Sequence, residues 1–173
     1  MRAGQAPAAS WLIPYGSAVT KLGRATLLWM IPLNLLLIAW VWIGRIVFGV
    51  GGWFFLIFLV SVVPILLIAL ILTTVLAYTQ KGRPRSLTRV QGWAQLLTWI
   101  GMFGFGAFTP DFGDTEDSHI SLLTQVFGDS DAMLDLSYTV TIAFALLTFV
   151  AYVVLLAALV FARHDDPTPA TAD

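Results

Sequence analysis

The sequence predicts an all-α integral membrane protein, with four spanning helices packed as a bundle. Of its 173 residues, 58% are hydrophobic and only 11% are charged, whereas a water-soluble domain carries about 25% charge. The apolar residues fall into four long runs, and segments of opposite charge separate these runs. The sequence therefore places most of the chain in a lipid bilayer rather than in water.

Four spans are expected at about residues 25–48, 53–78, 92–109 and 137–162. A spanning helix needs about 20 apolar residues, and three of the runs reach this length easily. The third run is short and rich in glycine, but it lies between a basic and an acidic segment, which favours a crossing. Pro64 near the middle of the second span predicts a kink, because proline removes a backbone hydrogen bond.

The charged residues predict the orientation of the spans. Eight of the nine Lys and Arg residues lie in the first 24 residues, in the loop 79–91 or just after the fourth span: Arg2, Lys21, Arg24, Lys81, Arg83, Arg85, Arg89 and Arg163. Seven of the ten acids lie in the loop 110–136, which has no Lys or Arg. Because basic loops stay in the cytoplasm, we expect an inner (plasma) membrane protein with both termini cytoplasmic.

This topology divides the chain into a cytoplasmic N-terminal arm (residues 1–24), a four-span domain (25–162) and a disordered cytoplasmic tail (163–173). The acidic loop faces outside and the basic loop faces inside. Four cations beside a bilayer are typical of attraction to anionic lipid, at about 1 kcal/mol each. We therefore interpret the basic loop as lipid-facing and expect no nucleic acid as a partner.

Residues 118–127 of the acidic loop predict a short external amphipathic helix between spans three and four. Its polar positions, Ser121 among them, share one side, and its apolar side is expected to face lipid or the bundle. Asp117 or Ser118 is expected to cap its start and Gly128 to end it.

The acids themselves allow three interpretations, one of which is a docking surface for a basic partner. Asp114, Glu116 and Asp117 are weak candidates for binding Ca²⁺ or another hard cation through carboxylate oxygens. Their spacing lacks the acidic repeat of a calcium-binding loop. The favoured interpretation is that the acids cap helix N-termini and keep an external loop soluble.

Arg45 is the one cation on the expected outer side. Seven acids share that side, so we expect Arg45 to form an ion pair with Asp111 or Asp135. Such a pair would fasten span one to spans three and four. The alternative is that Arg45 extends its guanidinium to the lipid headgroups.

Within lipid, polar and small residues mark helix contacts, because leucine gains nothing by leaving the acyl chains. Asn34, Val41 and Arg45 share such a face in span one. Spans three and four each carry one stripe: Gln95, Thr98, Gly101 and Gly104, and Thr141, Thr148 and Tyr152. We interpret these stripes as helix-packing seams. A polar pathway is the alternative, which the lack of Asp, Glu, Lys and His inside the runs disfavours.

No catalytic, phosphate-binding or zinc-binding motif occurs, and the chain has no cysteine and two histidines. We therefore expect neither an enzyme nor a cofactor. The leading hypothesis is a non-enzymatic accessory or assembly component that acts through helix–helix contacts with a membrane-protein partner or with copies of itself. The alternative is a small oligomeric transporter or channel with a pathway along the stripes of spans three and four.

Overall fold

The computed structural model of the protein describes residues 21–50, 52–80, 86–112 and 120–161. Within these ranges 85% of the residues are helical and no strand forms. The extended pairing found there is an isolated antiparallel bridge between Asp111 and Ile120. The predicted all-α class is confirmed for this part of the chain. The tail and most of the N-terminal arm lie outside the described residues.

The described helices are α1 (Lys21–Ile43), a 3₁₀ helix (Gly44–Phe48), α2 (Phe54–Val60), α3 (Val62–Tyr78), α4 (Arg89–Phe108), α5 (Leu122–Phe127) and α6 (Asp131–Phe161). Two of them, α1 and α6, are long and apolar enough to cross a membrane, with mean hydropathies of 2.0 and 2.7. The bent pair α2 and α3 adds a third candidate if it is one span. The described chain thus has two or three candidate membrane spans.

The second apolar run forms two helices, because the helix is interrupted at Ser61. α2 and α3 meet at an angle of 41°, and the hydroxyl of Ser61 donates to the carbonyl of Ile57 at 2.5 Å. Pro64 lies three residues after the break. Its ring clashes with the carbonyl four positions earlier, which belongs to Val60, the last residue of α2. The kink predicted from the proline is confirmed.

The short helix of the acidic segment, α5, starts later than predicted. It begins at Leu122, because Ile120 exchanges two backbone hydrogen bonds with Asp111 (2.8 and 3.2 Å) and is therefore extended. The expected helical start near residue 118 is wrong for this reason. Asp117 and Ser118, the expected caps, lie outside the described residues.

The first turn of α5 packs onto the protein through Ser121 and Thr124. Ser121, expected on the polar surface, is buried and caps the helix, and it exchanges hydrogen bonds with Thr124 (3.1 and 2.8 Å). Its hydroxyl oxygen also lies 2.7 Å from that of Ser137 in α6. Phe127 on the apolar side is 71% exposed. Gly128 ends the helix as expected, with a φ of 98°.

α4 lies between α1 and α6, and 11 of its 20 residues are buried. It runs parallel to α1. Near the middle of both helices Gln95 Nε2 donates to Asn34 Oδ1 at 3.3 Å. Further along both, Trp40 Nε1 donates to the Phe103 carbonyl at 3.0 Å. Because neighbours shield it on two sides, α4 tolerates more polar residues than α1 or α6.

α3 and α6 run opposite to α1 and α4. Gln91 in the first turn of α4 donates through Nε2 to the carbonyl of Ala158 near the end of α6, at 3.0 Å. Likewise, the hydroxyl of Tyr78 at the end of α3 donates to the carbonyl of Leu27 near the start of α1, at 2.8 Å. The starts of α1 and α4 and the ends of α3 and α6 therefore lie together.

This antiparallel arrangement separates the charges along the helix direction. The basic end, where α1 and α4 begin, holds the described cations Lys21, Arg24 and Arg89. The acidic end, where α4 ends and α6 begins, holds the described acids Asp111, Asp129, Asp131 and Asp135. Opposite charges therefore occupy opposite ends of the described helices, except for Arg45, which lies in the 3₁₀ helix at the acidic end.

Gly101 and Gly104 allow α4 and α6 to pack closely. A Cβ atom at Gly101 would lie 2.9 Å from the backbone nitrogen of Thr148, and one at Gly104 would lie 2.5 Å from the ring of Phe144. A ring can rotate, but a helical backbone moves only as a unit. Gly101 is therefore the position in this seam where added volume is hardest to accommodate.

Replacing Gly101 by alanine is expected to lower the free energy of unfolding by about 1–3 kcal/mol, the usual cost of overpacking. This loss should appear although alanine favours a helix over glycine by about 1 kcal/mol. Unfolding in mixed detergent micelles measures it. Gly92→Ala is the matched control in the same helix, because its Cβ would meet Leu22 at an ordinary 3.7 Å. Equal losses in the two variants would contradict the packing argument.

A buried polar cluster as the candidate functional site

Four polar side chains from three helices meet midway along the apolar helices. Asn34 of α1 donates through Nδ2 to Thr74 Oγ1 of α3 at 3.1 Å. Asn34 Oδ1 accepts from Trp99 Nε1 at 2.8 Å and from Gln95 Nε2 at 3.3 Å, both on α4. We refer to Asn34, Thr74, Gln95 and Trp99 as the polar cluster. It joins α1 to both of its neighbours.

Helix geometry explains how these residues meet. Gln95 and Trp99 are four residues apart and therefore lie one above the other on α4. The indole N–H of Trp99 can only donate, so it fixes the carbonyl oxygen of Asn34 toward α4 and the amide nitrogen toward α3. Gln95 must then donate as well, and its Oε1 is left buried without a hydrogen-bond partner.

Three of the four members of the cluster are almost fully buried, and none carries a charge. Asn34 is 4% exposed, Trp99 is 8% exposed and Gln95 is fully buried. Amide, hydroxyl and indole groups neither titrate in the physiological range nor provide a nucleophile with a base. This chemistry suits a structural connection between helices better than catalysis.

The sequence alone does not bring the members of the cluster together. The pattern assigns Gln95 to the stripe of span three and Asn34 only to a face of span one. The available signal was that Asn34 is the single asparagine of the chain and lies inside an apolar run. Polar groups in such positions are rare and commonly have a specific role.

The stripe expected on span three is divided between two neighbours. Gln95, Thr98, Gly101 and Gly104 are all buried. Gln95 faces α1, whereas the two glycines face α6. The hydroxyl of Thr98 donates to a carbonyl one turn earlier in its own helix, at 2.8 Å. No two members of this stripe hydrogen-bond each other.

The members of the stripe expected on span four also make different contacts from one another. Thr141 is buried, and its Oγ1 has no hydrogen-bond partner. Thr148 donates to the Phe144 carbonyl of its own helix at 2.8 Å and packs against α4. Tyr152 donates through its hydroxyl to the carbonyl of Ala69 in α3 at 3.2 Å. Tyr152 therefore links α6 to α3.

Asp111 is a buried carboxylate at the acidic end. Its Oδ1 accepts from the backbone N–H of Phe54 at 3.0 Å and from that of Phe112 at 2.9 Å. The first of these N–H groups belongs to the first turn of α2, where no intrahelical acceptor exists and negative charge is favoured. A Cβ at Gly52 would lie 2.8 Å from the same carboxylate oxygen. Asp111 thus fixes α2 to the end of α4.

The ion pair expected for Arg45 stays a prediction. Arg45 lies in the 3₁₀ helix at the acidic end, but its side chain is outside those described, and its second expected partner, Asp135, is exposed. The weak cation candidates Asp114, Glu116 and Asp117 lie outside the described residues. Within the described ranges, no group of three His, Cys, Asp or Glu side chains is placed to hold a metal ion.

A groove opens beside the polar cluster, between α1 and α3, with a volume of about 210 Å³. Its apolar walls are formed by Ile31, Leu35 and Ile38 of α1 and Leu67, Ile71 and Val75 of α3. Asn34 and Thr74 also line it and hydrogen-bond each other. This α1–α3 groove therefore offers an apolar surface with no charged group.

No protein family matches the chain, and neither a curated protein nor a solved structure is detectably similar to it. Function is therefore argued from the helices, the polar cluster and the charges. These features indicate a helical protein associated with a membrane.

Asn34→Leu is expected to lower the free energy of unfolding by about 1–3 kcal/mol, because it leaves buried donors of Trp99 and Gln95 without an acceptor. Hydrogen bonds between membrane helices average only about 0.6 kcal/mol, so the unpaired donors account for most of the expected loss. Adding Trp99→Phe should restore part of it. Unfolding in detergent micelles provides the comparison.

Thr139→Val is the control for this experiment, because its exposed hydroxyl donates only to a carbonyl of its own helix at 3.0 Å. It should change stability little. Wild-type stability in Asn34→Leu would show that the polar cluster does not hold the helices together.

Proposed function

We propose that the protein crosses the membrane four times, through α1, the bent pair α2 and α3, α4, and α6. α4 has 20 residues, or about 30 Å at 1.5 Å per residue, which matches the hydrocarbon core of about 30 Å. Its polar side chains are turned toward α1 and α6, so a lower hydropathy is compatible with a membrane position. The four segments together then form a transmembrane helix bundle.

The proposed orientation places the basic end in the cytoplasm and the acidic end outside, with both termini cytoplasmic. The described cations and acids support it, because positive charge is retained on the cytoplasmic side. Trp29 and Trp93 near the basic end are exposed, as are Trp53 and Tyr138 near the acidic end. Aromatic residues at two levels are typical of the two interfaces of a bilayer.

We further infer that the protein is a non-enzymatic accessory or assembly component of the inner membrane. The observation that supports this inference is the close packing of α4 against α6, where the backbone at Gly101 directly contacts Thr148. In the described helices, charged residues occur only toward the ends, which disfavours a proton relay or ion-coupled transport.

The accessible surface of the helices is apolar, so the proposed action is contact with other membrane helices. In the most apolar window of α6 only 17% of the residues are buried, against 39% in α1. The proposed partner is a membrane protein or a second copy of the chain, in a lipid bilayer and without nucleic acid.

A small oligomeric transporter or channel is the second candidate. Two buried oxygen atoms on α4 and α6, Gln95 Oε1 and Thr141 Oγ1, have no hydrogen-bond partner, and unpaired polar atoms of this kind also occur along solute pathways. Such a pathway requires the seam at Gly101 and Thr148 to open, which is why it is the second candidate.

The proposed topology is testable because the chain contains no cysteine. Ser130→Cys near the acidic end should react with a membrane-impermeant maleimide in intact spheroplasts. Ser86→Cys near the basic end should react only after permeabilisation. Labelling of both variants under the same condition would contradict the topology, and the cysteine-free parent chain gives the background.

The accessory role predicts that the protein co-purifies with a second protein chain when it is extracted from the membrane. After extraction in mild detergent, light scattering corrected for bound detergent should give a mass above that of one chain, and cross-linking should identify the second chain. A monomer without a co-purifying protein would count against this role. Solute flux in liposomes that is lost in Thr148→Leu but kept in the exposed control Thr139→Leu would instead favour the transporter.

A further inference from the structure

Arg24 lies on the face of α1 that forms the α1–α3 groove. Arg24, Leu28, Ile31, Leu35 and Ile38 follow each other at spacings of four, three, four and three residues. Residues at these spacings occupy one stripe of a helix. The last three line the groove, and the first two are exposed. The apolar stripe of the groove therefore continues to a guanidinium at the basic end.

The opposite wall of the groove leads to the same end. Leu67, Ile71 and Val75 lie four residues apart on α3, in the direction of its C-terminus. The hydrogen bond from Tyr78 to Leu27 joins that end of α3 to the first turns of α1. Both walls therefore run from the middle of the helices toward Arg24.

The charge and the length of this surface fit an anionic lipid. Lys21, Arg24 and Arg89 are exposed, and the described residues of the basic end include no acid. From Arg24 to Ile31 is seven residues and to Ile38 fourteen, or about 10 and about 21 Å along the helix. One leaflet contributes about 15 Å to the hydrocarbon core. An acyl chain that begins near Arg24 therefore ends inside the groove.

We propose that the α1–α3 groove binds one acyl chain of an anionic phospholipid whose headgroup phosphate contacts Arg24. A guanidinium binds phosphate through paired, charge-assisted hydrogen bonds. Along the groove, Asn34 and Thr74 hydrogen-bond each other at 3.1 Å, so an apolar chain leaves this pair satisfied. This inference rests on the proposed membrane-spanning arrangement.

The test uses the full-length protein in phosphatidylcholine vesicles that contain a phosphatidylglycerol with a photoreactive diazirine in its acyl chain. Mass spectrometry should locate cross-links at groove residues, with Leu35 and Ile71 as the markers. Excess unlabelled phosphatidylglycerol should compete with these cross-links, whereas phosphatidylcholine should not. Loss under both competitors alike would show that the groove does not select the headgroup.

Two matched pairs of variants identify the site. Arg24→Gln should lower the groove cross-links about fivefold, the factor that corresponds to about 1 kcal/mol for one cation at the membrane surface. Arg89→Gln removes the same charge from α4 at the same end and should change them less than twofold. Leu35→Trp should fill the groove and abolish the cross-links. Leu36→Trp, at a neighbouring position that is 62% exposed and outside the groove, should preserve them.

Further outcomes would overturn the inference. Equal effects of Arg24→Gln and Arg89→Gln would mean general attraction to an anionic surface. Cross-links from the groove to a second copy or to another protein would mean that a helix occupies it. Lipid cross-links at Phe149 and Val150, exposed on α6, with none in the groove, would reject the groove while supporting the membrane arrangement. Absence of lipid cross-links at every position would instead contradict the proposed function.

Discussion

The arrangement of these helices depends on the pairing of buried polar groups inside an apolar environment. α4 carries two glutamines among its buried residues, and an amide that is buried without partners costs several kcal/mol. Gln91 finds the Ala158 carbonyl of α6, and Gln95 finds Asn34 of α1. These bonds require α4 to lie between α6 and α1. The polar side chains thus fix the order of the helices, while the apolar side chains supply contact area without direction.

The same requirement shapes both ends of the molecule. At the basic end, Thr88 and Gln91 form a capping box that satisfies the first turn of α4. At the acidic end, the side chain of Asp111 accepts a backbone hydrogen bond from the first turn of α2, and that of Ser121 accepts one from the first turn of α5. The free backbone N–H groups at these helix starts are thus paired either with a local cap or with a residue distant in the sequence. Hydrogen bonds therefore order the ends of the helices as well as their middle.

Local patterns were sufficient for the features that depend on neighbouring residues. Hydropathy gave the helical class, Pro64 gave the bend in the second run, and Gly128 gave the end of α5. The polar cluster was not predictable, because Asn34 has several possible partners and the choice depends on which helix lies beside α1. The start of α5 was misplaced because side-chain periodicity carries no information about the backbone pairing of Ile120 with Asp111.

The hydrogen bond between Phe54 and Asp111 joins positions 57 residues apart. The backbone of Trp53 similarly donates to the carbonyl of Phe112 at 3.0 Å. A ribosome makes α2 long before it makes either acceptor. The first turn of α2 therefore lacks these two acceptors until α4 has been synthesised. The contacts that complete the start of the second apolar run can therefore form only after the third run has been made, although the second run is made first.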